Sequence, residues 1–288
     1  MERAIGLIAA AGKPEAAELA HSIATWLIDR GCPVLDEHAL QDDPSAASVL
    51  VTIGGDGLIM RIAHIYPDTP ILGINVGRVG FLAMTERQAW HAAMERLISG
   101  DYRVQEGPTL EASVWRGEQL ACRESAINDV VIRAGFRMID VEVYIDDQFV
   151  NTYPGDGMIV ATPQGSTAYC MAAGGPVLVS GVHGFAVTPI CPHSPIRTTL
   201  VVPEDARIEL VVASEREASL ILDGVPQLDL LPGDLVRVRR GAHRFRLVLL
   251  PGMNFYEAFR SKFNFQIRPD ALPSRRDQPG PAESAPSS

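Results

Sequence analysis

The segment VTIGGDG at residues 51–57 decides how this chain is organised, because it joins an apolar, β-branched run to a turn rich in glycine. A second apolar run, from Leu58 to Ala63, follows it with the pattern of a helix. Glycine lets the backbone come close to a ligand, and the N–H groups at a helix N-terminus attract phosphate. The segment therefore predicts a strand–turn–helix unit that binds an anion.

Asp56 is the acidic residue of this turn. A carboxylate repels a neighbouring phosphate unless it has a task there, such as taking a proton from an attacking hydroxyl or holding a metal ion. The alternative is structural, since an Asp in a turn before a helix often caps that helix. The turn by itself leaves both interpretations open.

Composition excludes several classes of protein. The chain has 288 residues, is 47% hydrophobic and carries a formal net charge of −10, which argues against nonspecific binding of nucleic acid. One basic cluster, residues 237–246, alternates arginine with valine, and this favours a half-exposed strand over a nucleic-acid patch. Four scattered cysteines, no long apolar run and no signal-like N-terminus predict a cytoplasmic protein that binds neither nucleic acid nor membrane.

Strand-like and helix-like runs alternate up to about residue 103, which predicts an α/β domain with a parallel sheet over residues 1–103. Within it, residues 36–47 are polar and are expected to form a loop. Short alternating stretches separated by turns then predict a β-rich domain over residues 104–268, whose last helix, about 255–265, can pack back on the first domain. Residues 269–288 are rich in Pro and Ser and predict a disordered tail.

Two shorter motifs offer groups that bind nucleotides. In the glycine-rich segment 77–81, Arg78 can reach phosphate as a permanently charged donor, and a cation of a surface loop is the equally weighted alternative. The pair Asn128-Asp129 offers an amide that can read a base edge and a carboxylate that can accept from ribose hydroxyls. Taken alone, that pair is explained more simply by a plain turn before a strand.

The most specific motif runs from Asp156 to Tyr169. An apolar strand ends in the loop TPQGSTAY at residues 162–169, where hydroxyls and glycine precede a short helix that GGP stops at residues 174–176. Hydroxyls and N–H groups there suit a nucleotide, and Tyr169 can pack on a base or a ribose.

Taken in order, these motifs resemble those of the NAD kinase family. The resemblance extends from about residue 5 to residue 265, and GGDG alone is shared with lipid kinases and phosphofructokinases. The matching segments are GGDG at 54–57, NVGRVGFL at 75–82, Asn128-Asp129, residues 156–176, Pro192-His193 with Arg197, and Asp223-Gly224.

The resemblance implies an α/β N-terminal domain with a Rossmann-like or phosphofructokinase-like parallel sheet and a β-rich C-terminal domain that binds NAD. It implies an enzyme that moves the γ-phosphate of ATP to the 2′-hydroxyl of the adenosine ribose of NAD, which makes NADP. Mg²⁺, or another divalent cation, would accompany ATP without direct ligation by the protein. A homodimer or homotetramer is implied, in which a neighbouring subunit completes part of the site.

Carried over by position, Asp56 is the general base, Asn128 reads adenine, Asp129 accepts from ribose hydroxyls and Asp156 faces the nicotinamide end. The residues implied to bind NAD are Gly57, Asn128, Asp129, Asp156, Thr167, Ala168 and Tyr169. Those implied to bind the donor phosphates are Gly54, Gly55, Gly57, Arg61 and Arg78. Further candidates are Arg133, His193, Arg197 and Asp223.

Three departures from the family pattern keep alternatives open. Leu58 stands where the family usually has Thr or Ser, and Cys170 and Ala172 stand where Ser is common. The loss of the hydroxyl at position 58 motivates a non-catalytic relative that binds NADP(H), and a lipid or small-molecule kinase sharing only GGDG is a third interpretation. The choices between ATP and polyphosphate, NAD and NADH, or dimer and tetramer, and feedback by NADPH, do not follow from the sequence.

Overall fold

The computed structural model describes residues 4–77, 80–195 and 197–263. The first part alternates strands with helices. Its elements are β1 Ala4–Ala9, α1 Pro14–Ile28, β2 Val34–Leu35, α2 Glu37–Asp42, β3 Ala47–Gly54, α3 Asp56–Ile65, β4 Ile71–Asn75, β5 Thr85–Glu86 and α4 Trp90–Ser99, with a 3₁₀ turn at Arg87–Ala89.

The strands of this part run parallel in the order β2–β1–β3–β4, with β5 added beside β4. Their apolar residues are buried on both faces, as expected when helices cover a parallel sheet. The loop expected at residues 36–47 is wrong in part, because α2 lies there. The Asp36 side chain accepts the N–H of Ala39 at 2.9 Å and caps that helix.

The second part consists mainly of strands. Its elements are β6 Arg103–Arg116, β7 Gln119–Ala126, β8 Asp129–Ala134, β9 Ile139–Ile145, β10 Gln148–Gly155, β11 Gly157–Ala161, a 3₁₀ turn at Gly165–Thr167, α5 Tyr169–Ala172, β12 Gly184–Ile190, β13 Leu200–Pro203, β14 Ile208–Val212, β15 Ala218–Leu222, β16 Val225–Leu230, β17 Leu235–Leu249 and α6 Phe255–Phe263.

Two sheets form this part and pack face to face. One is antiparallel, in the order β13–β12–β11–β8–β15–β16. The other contains β9, β10, β14 and β17, with β6 and β7 beside them. Residues of both sheets, such as Val160 and Val238, share one apolar core. The packing places the end of β11, where the loop from Thr162 begins, at the border with the first part.

Strand β17 joins the two parts into one eleven-stranded sheet, which the sequence pattern did not predict. It pairs antiparallel with β6 and β14, and its end pairs parallel with β4 through Leu247 and Ile71. The buried side chains of Leu247 and Leu249 pack with residues of the first part. The boundary at residue 103 falls at the start of β6 and stays a prediction, and the boundary at 268 and the tail 269–288 lie outside the described residues.

Helix α6 returns to the first part of the chain. The Phe255 ring stacks on Phe81, with centroids 6.0 Å apart, and on Phe259 at 5.7 Å. Phe81 belongs to the loop after β4, so α6 buttresses the segment that faces the GGDG turn. Within the described ranges, no helix has the length and apolar character needed to cross a membrane.

Candidate functional site

A cleft of about 720 Å³ lies between the two parts of the chain. Its walls come from α3, the loop after β4, the segment before β8, the loop after β11 and the turn between β15 and β16. Its volume is in the range of nucleotide and cofactor sites. The predicted site residues that line it are Asp56, Gly57, Arg61, Asn128, Thr167, Ala168 and Asp223.

The GGDG segment forms the predicted strand–turn–helix unit. Gly54 ends β3, Gly55 is the N-cap residue of α3, and Asp56 is its first helical residue. A Cβ on Gly54 would lie 2.8 Å from the Leu58 side chain, so Leu58 covers this glycine closely. Where the family usually carries a hydroxyl, the chain therefore places an apolar side chain against the turn.

The described hydrogen bonds of the Asp56 carboxylate go to the loop after β4. Phe81 N–H donates to Oδ2 at 2.9 Å, while Leu82 and Ala83 N–H donate to Oδ1 at 3.1 and 2.9 Å. A Cβ on Gly80 would overlap Oδ1, so only glycine lets the loop come this close. The loop thus holds the carboxylate in one orientation at the cleft. Arg78 lies outside the described residues.

Asp223 organises the segment that carries Asn128. Asp223 and Gly224, with φ of +50° and +80°, form the two-residue turn between β15 and β16. The Asp223 carboxylate accepts the N–H groups of Ile127, Asn128 and Asp129 at 2.8, 2.7 and 3.0 Å. The backbone around Asn128 is therefore fixed by a side chain almost a hundred residues away.

The loop after β11 holds the same segment from the other side. The Thr162 hydroxyl donates to the carbonyl of Ile127 at 2.7 Å. A Cβ on Gly165 would overlap the carbonyl of Asn128, so this glycine allows close contact between the two motifs. The amide of Gln164 donates to the carbonyl of Pro108 at 2.6 Å. Thr167 and Ala168, just beyond, reach the cleft.

Asp129 is only 4% exposed and does not line the cleft. Burial, and then the nearby charge of Asp223, raise the pKa of the Asp129 carboxyl from its usual range to about 7. The structure therefore separates the two residues of this motif, with Asn128 at the cleft and Asp129 behind it.

Five other predicted residues do not line the cleft, and three of them, Arg133, Asp156 and His193, lie near the start of β11. Asp156 is exposed beside that strand, and the Arg133 guanidinium lies 6.0 Å from the centre of the Tyr169 ring. The N–H of His193 donates to the carbonyl of Pro154 at 2.7 Å. This second group consists of Arg133, Asp156, Tyr169, His193 and Arg197.

Comparisons with known proteins identify the family. The family described as ATP-NAD kinase N-terminal domain matches residues 36–102, and that described as ATP-NAD kinase C-terminal domain matches residues 127–250. The NAD kinase of Thermomicrobium roseum is 66% identical over 276 residues, which is 96% of each chain. This chain belongs to the NAD kinase family. The predicted family and its phosphotransferase class are thereby confirmed.

Solved structures of two NAD(H) kinases share the fold. A yeast NADH kinase in complex with NADH aligns with a TM-score of 0.81 at 22% identity and covers 95% of this chain and 90% of its own. An NAD kinase from Archaeoglobus fulgidus in complex with ATP aligns with a TM-score of 0.70 at 24% identity, covering 89% and 98%. The predicted fold class, an α/β domain followed by a β-rich domain, is confirmed.

Sequence reasoning missed His64 and Gln164, which line the cleft of this NAD kinase family member. His64 lies two helical turns after Asp56 on α3, a spacing that was available from the sequence. Gln164 occupies the variable position of its motif, which carried no signal. Among the residues that the structure describes, no three His, Cys, Asp or Glu side chains come together in a way that could hold a metal ion.

Proposed function

We propose that this protein transfers the γ-phosphate of ATP to the 2′-hydroxyl of the adenosine ribose of NAD, which yields NADP and ADP. The observation that carries the proposal is the meeting of Asp56, Asn128 and Thr167 in one cleft of about 720 Å³. The NAD kinase name of the relative that is 66% identical supports it.

In this proposal Asp56 accepts the proton of the 2′-hydroxyl while the ribose oxygen bonds to the γ-phosphorus and the bond to ADP breaks. A ribose hydroxyl is a poor nucleophile, so a base within hydrogen-bond reach assists the attack. The three N–H groups from the loop after β4 support this role because they fix the direction of the carboxylate. Phosphoryl transfer depends mainly on such positioning.

Donor phosphates are proposed to bind at the N-terminus of α3. Gly54, Gly55 and Gly57 provide close approach to the backbone there, and Arg61, half-exposed on the cleft wall, adds positive charge. Arg78 keeps the phosphate-binding role implied by its motif.

Mg²⁺ is proposed to arrive with the donor triphosphate, where it would neutralise charge on the transferred phosphate. The Asp56 and Asp223 carboxylates at the cleft both accept backbone N–H groups. Phosphate oxygens and water, which Mg²⁺ prefers, would therefore supply most of its ligands.

Adenosine is proposed to bind where Asn128 meets Thr167 and Ala168. The Asn128 side chain can pair with the adenine edge because Asp223 and Thr162 hold its backbone on both sides. Asp129 remains the proposed acceptor of ribose hydroxyls. Since its side chain is buried, reaching a ribose requires this part of the wall to open.

The second group is proposed to complete the cleft of a neighbouring subunit in a homodimer or homotetramer. Asp156 would face the nicotinamide end and Tyr169 the adenosine, because neither lies at the cleft of its own chain. Mixing inactive Asp56→Asn with inactive Tyr169→Ala subunits then restores one complete site per mixed dimer, about a quarter of parental activity for a randomly mixed dimer. Activity that stays at the level of the separate variants would rule out shared sites.

The activity is tested by following NADP and ADP formation from NAD, ATP and Mg²⁺, with NADH and polyphosphate as alternative substrates. Asp56→Asn should lower kcat about 10²–10⁴-fold, the usual contribution of a general base, and leave the Kd for NAD nearly unchanged. Asp29→Asn, at the exposed end of α1, is the matched control. Tight binding of NAD or NADP without ADP release would select the non-catalytic alternative.

The scattered free cysteines support a cytoplasmic location for this reaction.

A further inference from the structure

One side-chain contact joins the two walls of the cleft directly. His64 Nε2 on α3 lies 2.7 Å from Asp223 Oδ2 in the turn between β15 and β16, although 159 positions separate the two residues in sequence. The His64 side chain is 34% exposed and that of Asp223 only 8%. The contact is therefore partly shielded from water. A hydrogen bond to a carboxylate is stronger in such a place than at an open surface.

Asp223 has a full set of partners. Its Oδ1 accepts from Asn128 and Asp129 N–H, and its Oδ2 accepts from Ile127 N–H and pairs with His64. An ionised carboxylate has about four acceptor sites, so the three amides and the imidazole together occupy all of them. His64 thus adds a link to α3 on a carboxylate whose other described bonds go to the segment of Asn128.

Helix α3 carries both His64 and the proposed general base Asp56. It begins at Asp56, and His64 follows eight residues later, about 12 Å along the axis of a regular helix. The buried side chains of Ile59 and Ile62 anchor the helix against the sheet between these two points. Any shift of the turn at Asp223 relative to α3 would therefore change the distance between Asp56 and the backbone of Asn128.

We propose that His64 is a positioning residue, which uses its bond to Asp223 to align Asp56 with the adenosine held at Asn128. This inference rests on the function proposed above and deepens it. His64 acts through Asp223 and does not touch the reacting atoms. The Asp223 carboxylate still holds Asn128 without His64, so loss of the link misaligns the reactants more than it weakens NAD binding.

The test compares His64→Gln with His64→Met, which are similar in length and helix propensity but differ in the ability to donate a hydrogen bond. His64→Gln should keep kcat within about 3-fold of the parent, and His64→Met should lower it about 10–100-fold, as expected for a misaligned reactant. The Kd for NAD, measured by calorimetry, should change less than about 3-fold in both. A stoichiometry near one NAD per chain in the same titration shows that each variant is folded.

His38→Met is the control, because it replaces an exposed His that lies near Asp42 on α2. It should match the parent. Equal kcat for the Gln and Met variants would overturn the positioning role. A similar decrease of kcat in both variants together with weaker binding of NAD would overturn it as well. A parent enzyme that makes no NADP would instead overturn the proposed function, so the two failures are distinguishable.

Discussion

At the scale of single residues, Asp129 gives the clearest pH-dependent prediction. Its carboxyl pKa is raised to about 7 in the folded protein, whereas an unfolded Asp titrates near 3.8. Between these values the folded state binds the extra proton, so the stability that this group contributes is present below about pH 4 and is lost as pH rises through about 7. The loss is on the order of 4 kcal/mol.

Asp129→Asn stays neutral and should remove that loss. The free energy of unfolding in urea is compared for the variant and the parent. The difference in favour of the variant should be larger at pH 8 than at pH 5. The same difference from the parent at both pH values would contradict the burial argument.

Gly80 supplies the second residue-scale prediction. A methyl group there would overlap Asp56 Oδ1, so Gly80→Ala must displace the carboxylate or the loop that holds it. Turnover should fall about 10²-fold, the cost of misplacing a catalytic group by about 1 Å. Gly77→Ala in the same loop is the control, because among the described residues its Cβ would meet its nearest neighbour at an ordinary 3.6 Å. Equal turnover of the two variants would sink the claim that the loop positions Asp56.

The limits of sequence reasoning are also clearest at this scale. The local patterns made Asp56, Asn128 and Thr167 candidates and the family resemblance implied their site roles, and the fold does bring all three to one cleft. They could not predict that Asn128 and Asp129, adjacent in sequence, point to different environments. Nor could they predict the role of Asp223, because its hydrogen bonds to residues 127–129 depend on the pairing of the distant strand β15 with β8.

At the scale of elements, helix α6 should influence the site through the loop after β4. Phe255 stacks on Phe81, whose N–H donates to the Asp56 carboxylate. Phe255→Ala should destabilise the protein by about 1–2 kcal/mol and lower kcat, because aromatic packing is lost next to the loop. Arg260→Ala, at an exposed position of the same helix, should change neither quantity. Urea unfolding and initial rates for both variants check this, and an unchanged kcat for Phe255→Ala would separate α6 from the site.

Element types could be predicted where a hydrophobic pattern extended over many residues. The prediction failed where a single capping residue decided whether a helix forms. The alternation of strands and helices before residue 103 predicted the parallel sheet, since the runs of β1, α1, β3 and α4 were long enough to show their period. Helix α2 has only six residues, and its capping by Asp36 was indistinguishable from a polar loop. The pairing of β17 with β4 is set by tertiary packing, which a local pattern cannot report.

At the scale of the whole molecule, the basic cluster of β17 is matched by acidic neighbours. Arg237, Arg239 and Arg246 lie within 2.8–2.9 Å of glutamates on adjacent strands, in line with the half-exposed strand predicted from their alternation with buried valines. Such pairs across a sheet add little stability each at the surface. Their main effect is to balance charge along the strand that joins the two parts.

Because β17 belongs to both parts of the molecule, we expect them to unfold together. Leu249 near the end of this strand is 1% exposed and packs with Leu50 and Ile59 of the first part. Leu249→Ala should cost about 2–5 kcal/mol, the range for a buried Leu→Ala change, and should destabilise both parts equally. Leu231→Ala, half-exposed in the turn before β17, is the control and should have little effect.

The tryptophans make this cooperativity measurable. Trp26 and Trp90 lie in the first part, and Trp115 lies on β6 in the second, so Trp115→Phe and the double variant Trp26→Phe/Trp90→Phe report one part each. With Leu249→Ala added to either background, both fluorescence transitions in urea should shift to lower midpoints by the same amount. A shift confined to the Trp26 and Trp90 signal would mean that β17 does not couple the parts. The cleft would then lie between two parts that unfold independently, and the contact of His64 with Asp223 alone could not fix the position of one wall relative to the other.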